Sequence, residues 1–207
     1  MVSRSLQRQV SRLRSHDTTR AEIARAAIRS FLRNGFEHTT VDDIAAAAGI
    51  SRRTYFRYFA SKDESLLSGM QEMGISVAEA FRRAPASLPP LTAMREAFLE
   101  IEGVASEFPE RQRSLGAMLR ANQRVHGALL LVQLEWIEEF AEVIANRRGD
   151  SVERPTDRLI AHMGMDAWNM AVDWWLEDEG SSLHDQAARA FELLGQLVPN
   201  GGDISGS

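Results

Sequence analysis

The 207-residue sequence contains no cysteine. That excludes a disulfide framework, a thiolate metal site and thiol catalysis, and it suits a reducing cytoplasm. The six prolines fall almost wholly outside the long apolar-periodic runs, which favours helix. Nowhere do ~18 apolar residues run together, and the Arg-bearing first residues lack an apolar core segment, so neither a membrane span nor secretion is expected. A nucleophile elbow, a phosphate-cradling glycine loop and any clustered His and carboxylate set are also missing. The five His are scattered. His162 and Asp166 have the i, i+4 spacing of metal ligands, but no third ligand is close in sequence, and a solvent-facing or pocket-lining pair is the better explanation. No catalytic residue, metal site or cofactor is therefore expected.

What is present is unevenly distributed. Residues 1–62 hold 12 Lys and Arg against 5 Asp and Glu, whereas residues 63–207 hold 12 against 24. A basic segment joined to an acidic one suggests a nucleic-acid-binding part and a part with another task. The outermost residues, 1–17, form a basic arm expected to be flexible, with Arg4, Arg8, Arg12 and Arg14 and a single acid at its end. It is either an arm that reaches into the minor groove or a solvated tail.

Thr18 or Thr19 can cap a first helix carrying Ile23, Ala26, Ala27, Ile28, Phe31 and Leu32, which Asn34 and Gly35 stop. Thr40 caps a second, 41–48, with Asp43 as its capping-box partner. Gly49-Ile50-Ser51 is a turn in which Ile50 is expected to bury and Ser51 caps a third helix, 52–59. Two helices joined by a short glycine-containing turn make a helix-turn-helix. Ser61 caps a fourth helix, 62–83. After the proline-rich loop at 85–90, the periodicity predicts helices over 91–108, 111–123, 129–146, 156–179 and 183–198. The fold class is all-α, with about nine helices: a helix-turn-helix domain at 18–62, a helical domain at 63–198 and a disordered tail at 199–207.

In the later helices apolar residues are abundant. Glu135, Glu138, Glu139 and Glu142 share one face, opposite Trp136, Ile137, Phe140 and Ile144. The helix at 156–179 is apolar around most of its circumference and so needs two neighbours, one of them expected to be a second subunit. Met70, Met94, Met118 and Met163, with Phe98, Trp136 and Trp168, are candidates to line an adaptable ligand pocket, or else they fill an ordinary core. Trp175, Ala187, Phe191 and Leu194 are candidates for a dimer interface.

Residues 19–67 resemble the TetR-type transcriptional regulators. The match runs through Asn34-Gly35-Phe36, Thr39-Thr40-Val41-Asp42-Asp43-Ile44-Ala45, Ala48-Gly49-Ile50-Ser51 and Thr54-Tyr55-Phe56-Arg57-Tyr58-Phe59 to Ser61-Lys62. The run from Ser51 to Phe59, with Ala167-Trp168 and Trp174-Trp175, is similar to the actinobacterial, mycofactocin-regulator-like subgroup. The resemblance implies phosphate contacts at Thr40 and Lys62, base reading by Arg52 and Thr54, and a further backbone contact at Tyr58. These roles make chemical sense, since an Arg fork suits guanine and a Thr methyl suits thymine. Arg53 can reach a base edge or a phosphate. The chain departs from the pattern at Phe56, where a phosphate-contacting Tyr is frequent, at Tyr55, where a core Leu is usual, and at Ser65, where Leu is common. Tyr55 and Phe59 are expected in the core, and the role of Phe56 is open.

These features lead to a cytoplasmic, homodimeric repressor that leaves an inverted-repeat operator in double-stranded DNA when a small, largely apolar or acyl-type effector binds. The alternative is a DNA-binding regulator of the same fold that responds to a protein partner or to no ligand.

Overall fold

The computed structural model describes residues 4–105, 108–150 and 153–197, with side chains from residue 17 onward except 102–105. All regular structure among the described residues is helical. In order the helices are α1 (Arg4–Asn34), α2 (Val41–Ala47), α3 (Arg52–Tyr58), α4 (Lys62–Arg83), α5 (Pro90–Ala105), α6 (Pro109–Ala121), α7 (Gln123–Arg147), α8 (Pro155–Glu177) and α9 (Leu183–Leu197). Among these residues, no helix is long and apolar enough to cross a membrane. The expected tail at 199–207 and the side chains of the arginine arm lie outside the described residues.

Two compact units divide the chain, Met1–Glu72 and Met73–Ser207. The division falls inside α4 rather than at its first residue, because the early turns of α4 belong to the first unit's packing. Gly69 lies against Ile28 and the Ala24 carbonyl, and no Cβ fits between them. Glu64 pairs with Arg20 at 3.1 Å, and Glu72 pairs with Arg25 at 2.6 Å.

In the first unit local chemistry sets each helix end. The segment expected to be a flexible arm is helical from Arg4, and Thr18 and Thr19 lie within α1 instead of capping it. No glycine or proline interrupts residues 4–34, so nothing halts the helix before Gly35, whose φ of 85° ends it. Phe36 folds back on Phe31, with ring centroids 4.9 Å apart. Thr40 and Asp43 form the reciprocal capping box of α2, and the Thr40 hydroxyl, then its N–H, donating to the Asp43 carboxylate hold that group below its ordinary value. At the turn, Gly49 takes φ 67° and Ser51 caps α3, its side chain accepting from the Thr54 N–H. Phe59 is extended and ends α3 one residue earlier than expected, and Ile50 is only half-buried.

The second unit is a helical bundle. α8 packs on α9 and α7, and α5 packs against both α8 and α9. Phe98 stands at its centre, stacked on Trp168 at 4.5 Å and close to Phe140 (5.7 Å) and Phe191 (6.4 Å). Two boundaries differ from expectation. Pro109, expected to end a helix, instead begins α6 at its first position, where a missing N–H costs nothing. Asn122 then caps α7, accepting from the Val125 N–H at 3.2 Å, so α7 starts at Gln123 and runs through Gly127.

Two arginines at the end of α7 secure this unit. Arg147 donates to four carbonyls, those of Phe81, Ala84, Pro85 and Leu88, closing the last turn of α4 and the loop after it. Arg148 forks onto Asp157 at the start of α8, where the Arg154 N–H also donates at 2.7 Å. Burial pushes the Asp157 carboxyl up, but the Arg148 fork and the Arg154 N–H outweigh it and hold the group below the usual carboxylate range.

Candidate nucleic-acid interface

α3 turns Arg52, Arg53, Phe56 and Arg57 outward, while Tyr55 and Phe59 are buried as expected. The spacing explains the division within the helix: at 3.6 residues per turn, positions 52, 53, 56 and 57 share one side and 55 and 58 the other, while Phe59, extended beyond the last turn, leaves the helical wheel. Arg52 donates to Asp42 at 2.7 Å and lies over the Phe56 ring. Thr54 is half-buried, its hydroxyl 2.9 Å from that of Ser51. Thr40 is exposed at the start of α2, but its hydroxyl donates to Asp43 at 2.7 Å and must leave that carboxylate to reach a phosphate.

Lys62, the only lysine of the sequence, stands at the start of α4. Its amine donates to the Phe36 carbonyl at 2.8 Å and sits 4.3 Å from the centroid of the Phe36 ring. The residue is half-buried and still presents one side to solvent.

Tyr58 departs from its expected place. It is 9% exposed, its hydroxyl accepts from Arg57 at 3.3 Å, and its carbonyl accepts from Arg20 at 2.5 Å. Position 58 lies opposite the outward arc of α3, one turn beyond Thr54 and beside Tyr55, so Arg57 occupies the outer surface instead. The exposed Arg57 and the acidic partner Asp42 were not among the expected site residues. The wheel of α3 alone places Arg57 outside, whereas the Asp42 contact spans two helices and needs the turn geometry. Phe56 is 46% exposed, which puts it on the outward face of α3 and outside the core.

The two other departures compensate one another. The Tyr55 hydroxyl lies 3.0 Å from the Ser61 carbonyl and 2.9 Å from Ser65 Oγ, and the Ser65 hydroxyl donates to the Lys62 carbonyl. A buried phenol needs a partner, and a serine supplies it where a leucine could not. Burial raises the Tyr55 phenol above its ordinary value, with the Ser65 bond opposing. This polar link ties the recognition helix to the start of α4.

The expected pocket residues are divided between the two units. Met70 belongs to the first unit. Met94, Phe98 and Trp136 are buried and Met118, Met163 and Trp168 half-buried; of these only Phe98 and Trp168 stack on each other. The Trp136 indole lies where a Cβ of residue 74 would stand, and its N–H is buried without a hydrogen-bond partner among the described residues. A groove of about 260 Å³ between the end of α4 and α5 is lined by Ala80, Ala84, Leu88, Ala97 and the ends of Arg83 and Glu100, and by none of the seven.

The dimer-interface expectation needs correction for three residues. Trp175, Ala187 and Phe191 are buried within the chain itself: Trp175 lies beneath the Arg113 guanidinium, and Phe191 joins the Phe98 cluster. Their apolar faces are occupied by their own bundle. Leu194 is half-buried. The exposed apolar residues on these helices are Leu159 and Met170 on α8 and Leu193 and Leu197 on α9.

Comparison with known proteins agrees with this architecture. Residues 18–67 match the family model for bacterial regulatory proteins of the tetR family, and residues 88–199 match the MftR C-terminal domain. The chain is 28% identical to a mycofactocin biosynthesis transcriptional regulator, MftR, of Mycobacterium tuberculosis, over 88% of this chain and 92% of that protein. It is 33% identical to the HTH-type transcriptional regulator TcmR of Streptomyces glaucescens, over 69% of this chain and 59% of that one. Among solved structures, Thermus thermophilus FadR, a TetR-family repressor in complex with lauroyl-CoA, is similar with a TM-score of 0.56 at 22% identity, covering 91% of this chain and 97% of that one. With a tetR-type DNA-binding segment followed by an MftR-type C-terminal domain, the chain belongs to the TetR family of transcriptional regulators.

Proposed function

We propose that the protein is a cytoplasmic homodimeric repressor that binds an inverted-repeat operator and is released by a small, largely apolar or acyl-type effector. The observation that carries this reading is the outward set Arg52, Arg53 and Arg57 on α3, flanked by Thr40 at the start of α2 and Lys62 at the start of α4. A helix-turn-helix places such a helix in the major groove, where the arginines meet base edges and the flanking residues meet phosphates. Two copies related by a two-fold axis would place their recognition helices ~34 to 36 Å apart, one turn of DNA. The exposed Leu159, Met170, Leu193 and Leu197 supply an apolar surface on α8 and α9 for that pairing.

Effector release would act through α4, which starts at Lys62 beside the reading helix and ends under the Arg147 guanidinium. Trp136, with its unpartnered buried N–H, is a donor for an effector that carries an acceptor. The effector must favour the released conformer by a few kcal/mol to matter. Anisotropy titration of the full-length protein on duplexes upstream of its own gene is the test. Tight, salt-dependent binding to an inverted repeat, reversed by the compound that native mass spectrometry finds on the purified protein, is the expected result. Equal affinity for every duplex would end the operator reading, and no response to any co-purifying compound would favour a regulator that senses a protein or nothing.

A further inference from the structure

The Arg52 guanidinium is held from two sides. Its Nη1 donates to Asp42 Oδ2 at 2.7 Å across the turn, and its Cζ lies 5.3 Å from the centroid of the Phe56 ring one turn along α3. Its neighbour Arg53 is exposed and has no ion pair with any described residue. The Asp42 and Arg52 side chains remain 63% and 59% exposed. An ion pair that exposed adds little to folding. A carboxylate on a DNA-facing surface also works against phosphate binding, because it adds negative charge where counterions must be displaced. Asp42 stands in the first turn of α2, where a carboxylate favours the helix end, but neither that nor bulk attraction to DNA accounts for its pairing with Arg52.

We propose that Asp42 and Phe56 are positioning residues that hold Arg52 extended for one guanine in the major groove. The inference rests on the reading of Arg52 as a base contact. With Nη1 engaged by Asp42 and the planar face supported by Phe56, the Nε and Nη2 edge remains free to fork onto guanine O6 and N7. Pre-organisation removes the rotamer entropy that a free arginine loses on binding. Asp42 also sharpens discrimination in a second way. Turning Arg52 towards a phosphate breaks its bond to Asp42 and leaves that carboxylate unpaired beside the backbone, so binding at non-operator sequences is weakened while the guanine contact, which keeps the pair, is not. Phe56, which lacks the hydroxyl of the more frequent tyrosine, acts through its ring face.

A randomised-core duplex library enriched on the full-length wild-type protein supplies the selected probe, and a scrambled duplex of the same length supplies the comparison. D42N is expected to raise affinity for the scrambled duplex and to lower the selected-to-scrambled ratio about tenfold. F56L is expected to lower the ratio without raising scrambled binding, and F56Y to restore it. In an R52A background, D42N is expected to leave the ratio unchanged, since its effect passes through Arg52. Thermal unfolding midpoints of D42N and F56L should stay near that of wild type, which separates the effect from misfolding.

Unchanged ratios in both D42N and F56L overturn the proposal, as does an F56Y ratio as low as that of F56L. D42N selecting a new base at a second position, with the guanine kept, overturns it too, because Asp42 would then read a base itself. If R52A leaves the ratio untouched, or wild type enriches no sequence, the base-reading role of Arg52 falls together with the proposal. A drop in R52A alone leaves that role standing and removes only the clamp.

Discussion

On α3, Arg52, Arg53, Phe56 and Arg57 face outward while Tyr55 and Phe59 hold the helix down; on α8 and α9 the bulky Trp175 and Phe191 turn into their own bundle. Both regions mix aromatic and charged residues at helical spacing. They differ in what lies around the helix. A seven-residue helix with caps at both ends has one side to bury and one to show. A 23-residue helix that is apolar around most of its circumference has several, and which one meets solvent depends on where α5, α7 and α9 pack. Surface function is thus set locally in the first unit and by packing in the second.

The sharpest test of that difference is in the second unit. Asp157→Asn should destabilise the protein by about 2 to 3 kcal/mol, less than a fully buried pair would cost because Arg148 keeps some solvent. Chemical denaturation measures it. The sign with pH follows from the lowered Asp157 value. Its stabilisation is fully present above the ordinary carboxylate range, about pH 4, and is lost as pH falls through the folded-state value. A wild-type protein whose acid unfolding matches that of the Asn variant would remove this ion pair from the account.

In the first unit, Arg52→Ala should cost about 1 to 3 kcal/mol in operator binding with little change in folding stability, whereas Lys62→Ala should weaken all duplexes alike and reduce the salt slope by ~1. Titrations at several salt concentrations distinguish the two. Uniform loss in both variants would place Arg52 on the backbone instead of a base.

Tyr55→Phe should lower stability by about 1 kcal/mol, as expected for one lost buried hydrogen bond. A double-mutant cycle with Ser65→Ala should show coupling, and strict additivity would mean that the two departures from the family pattern are unrelated. The smallest effect on folding is expected at α9. Leu193→Glu should change monomer stability by less than about 0.5 kcal/mol, yet shift the sedimentation of the protein towards a monomer. A persistent dimer would move the pairing surface elsewhere.

The same contrast accounts for what could be read from the residues alone. Thr40, Gly49, Ser51 and Gly35 each have a conformational reason to be where they are, and α2, α3 and α4 lie within a residue of their expected limits. Asn122 was missed as a cap because His126 and Gly127 interrupt the apolar period that follows it. The assignment of Trp175, Ala187 and Phe191 to a second subunit failed for a different reason. A helical wheel reports that a face is apolar and not which helix covers it, and here the chain's own α5, α6 and α7 side chains were sufficient. Tyr58 differs: on the α3 wheel it lies opposite the outward arc and beside Tyr55, so its burial was legible in the spacing, and the role implied by the family resemblance hid it.

Because Lys62 is the only lysine of this sequence, an amine-reactive reagent has a single side-chain target along it. That target sits at the start of α4, with its amine drawn onto the Phe36 carbonyl and ring. Covalent labelling at this one side-chain amine, located by peptide mass apart from the α-amino terminus, would follow DNA occupancy and the integrity of the turn after α1 at the same time. Protection by duplex reports the first, and an accelerated rate without DNA reports the second.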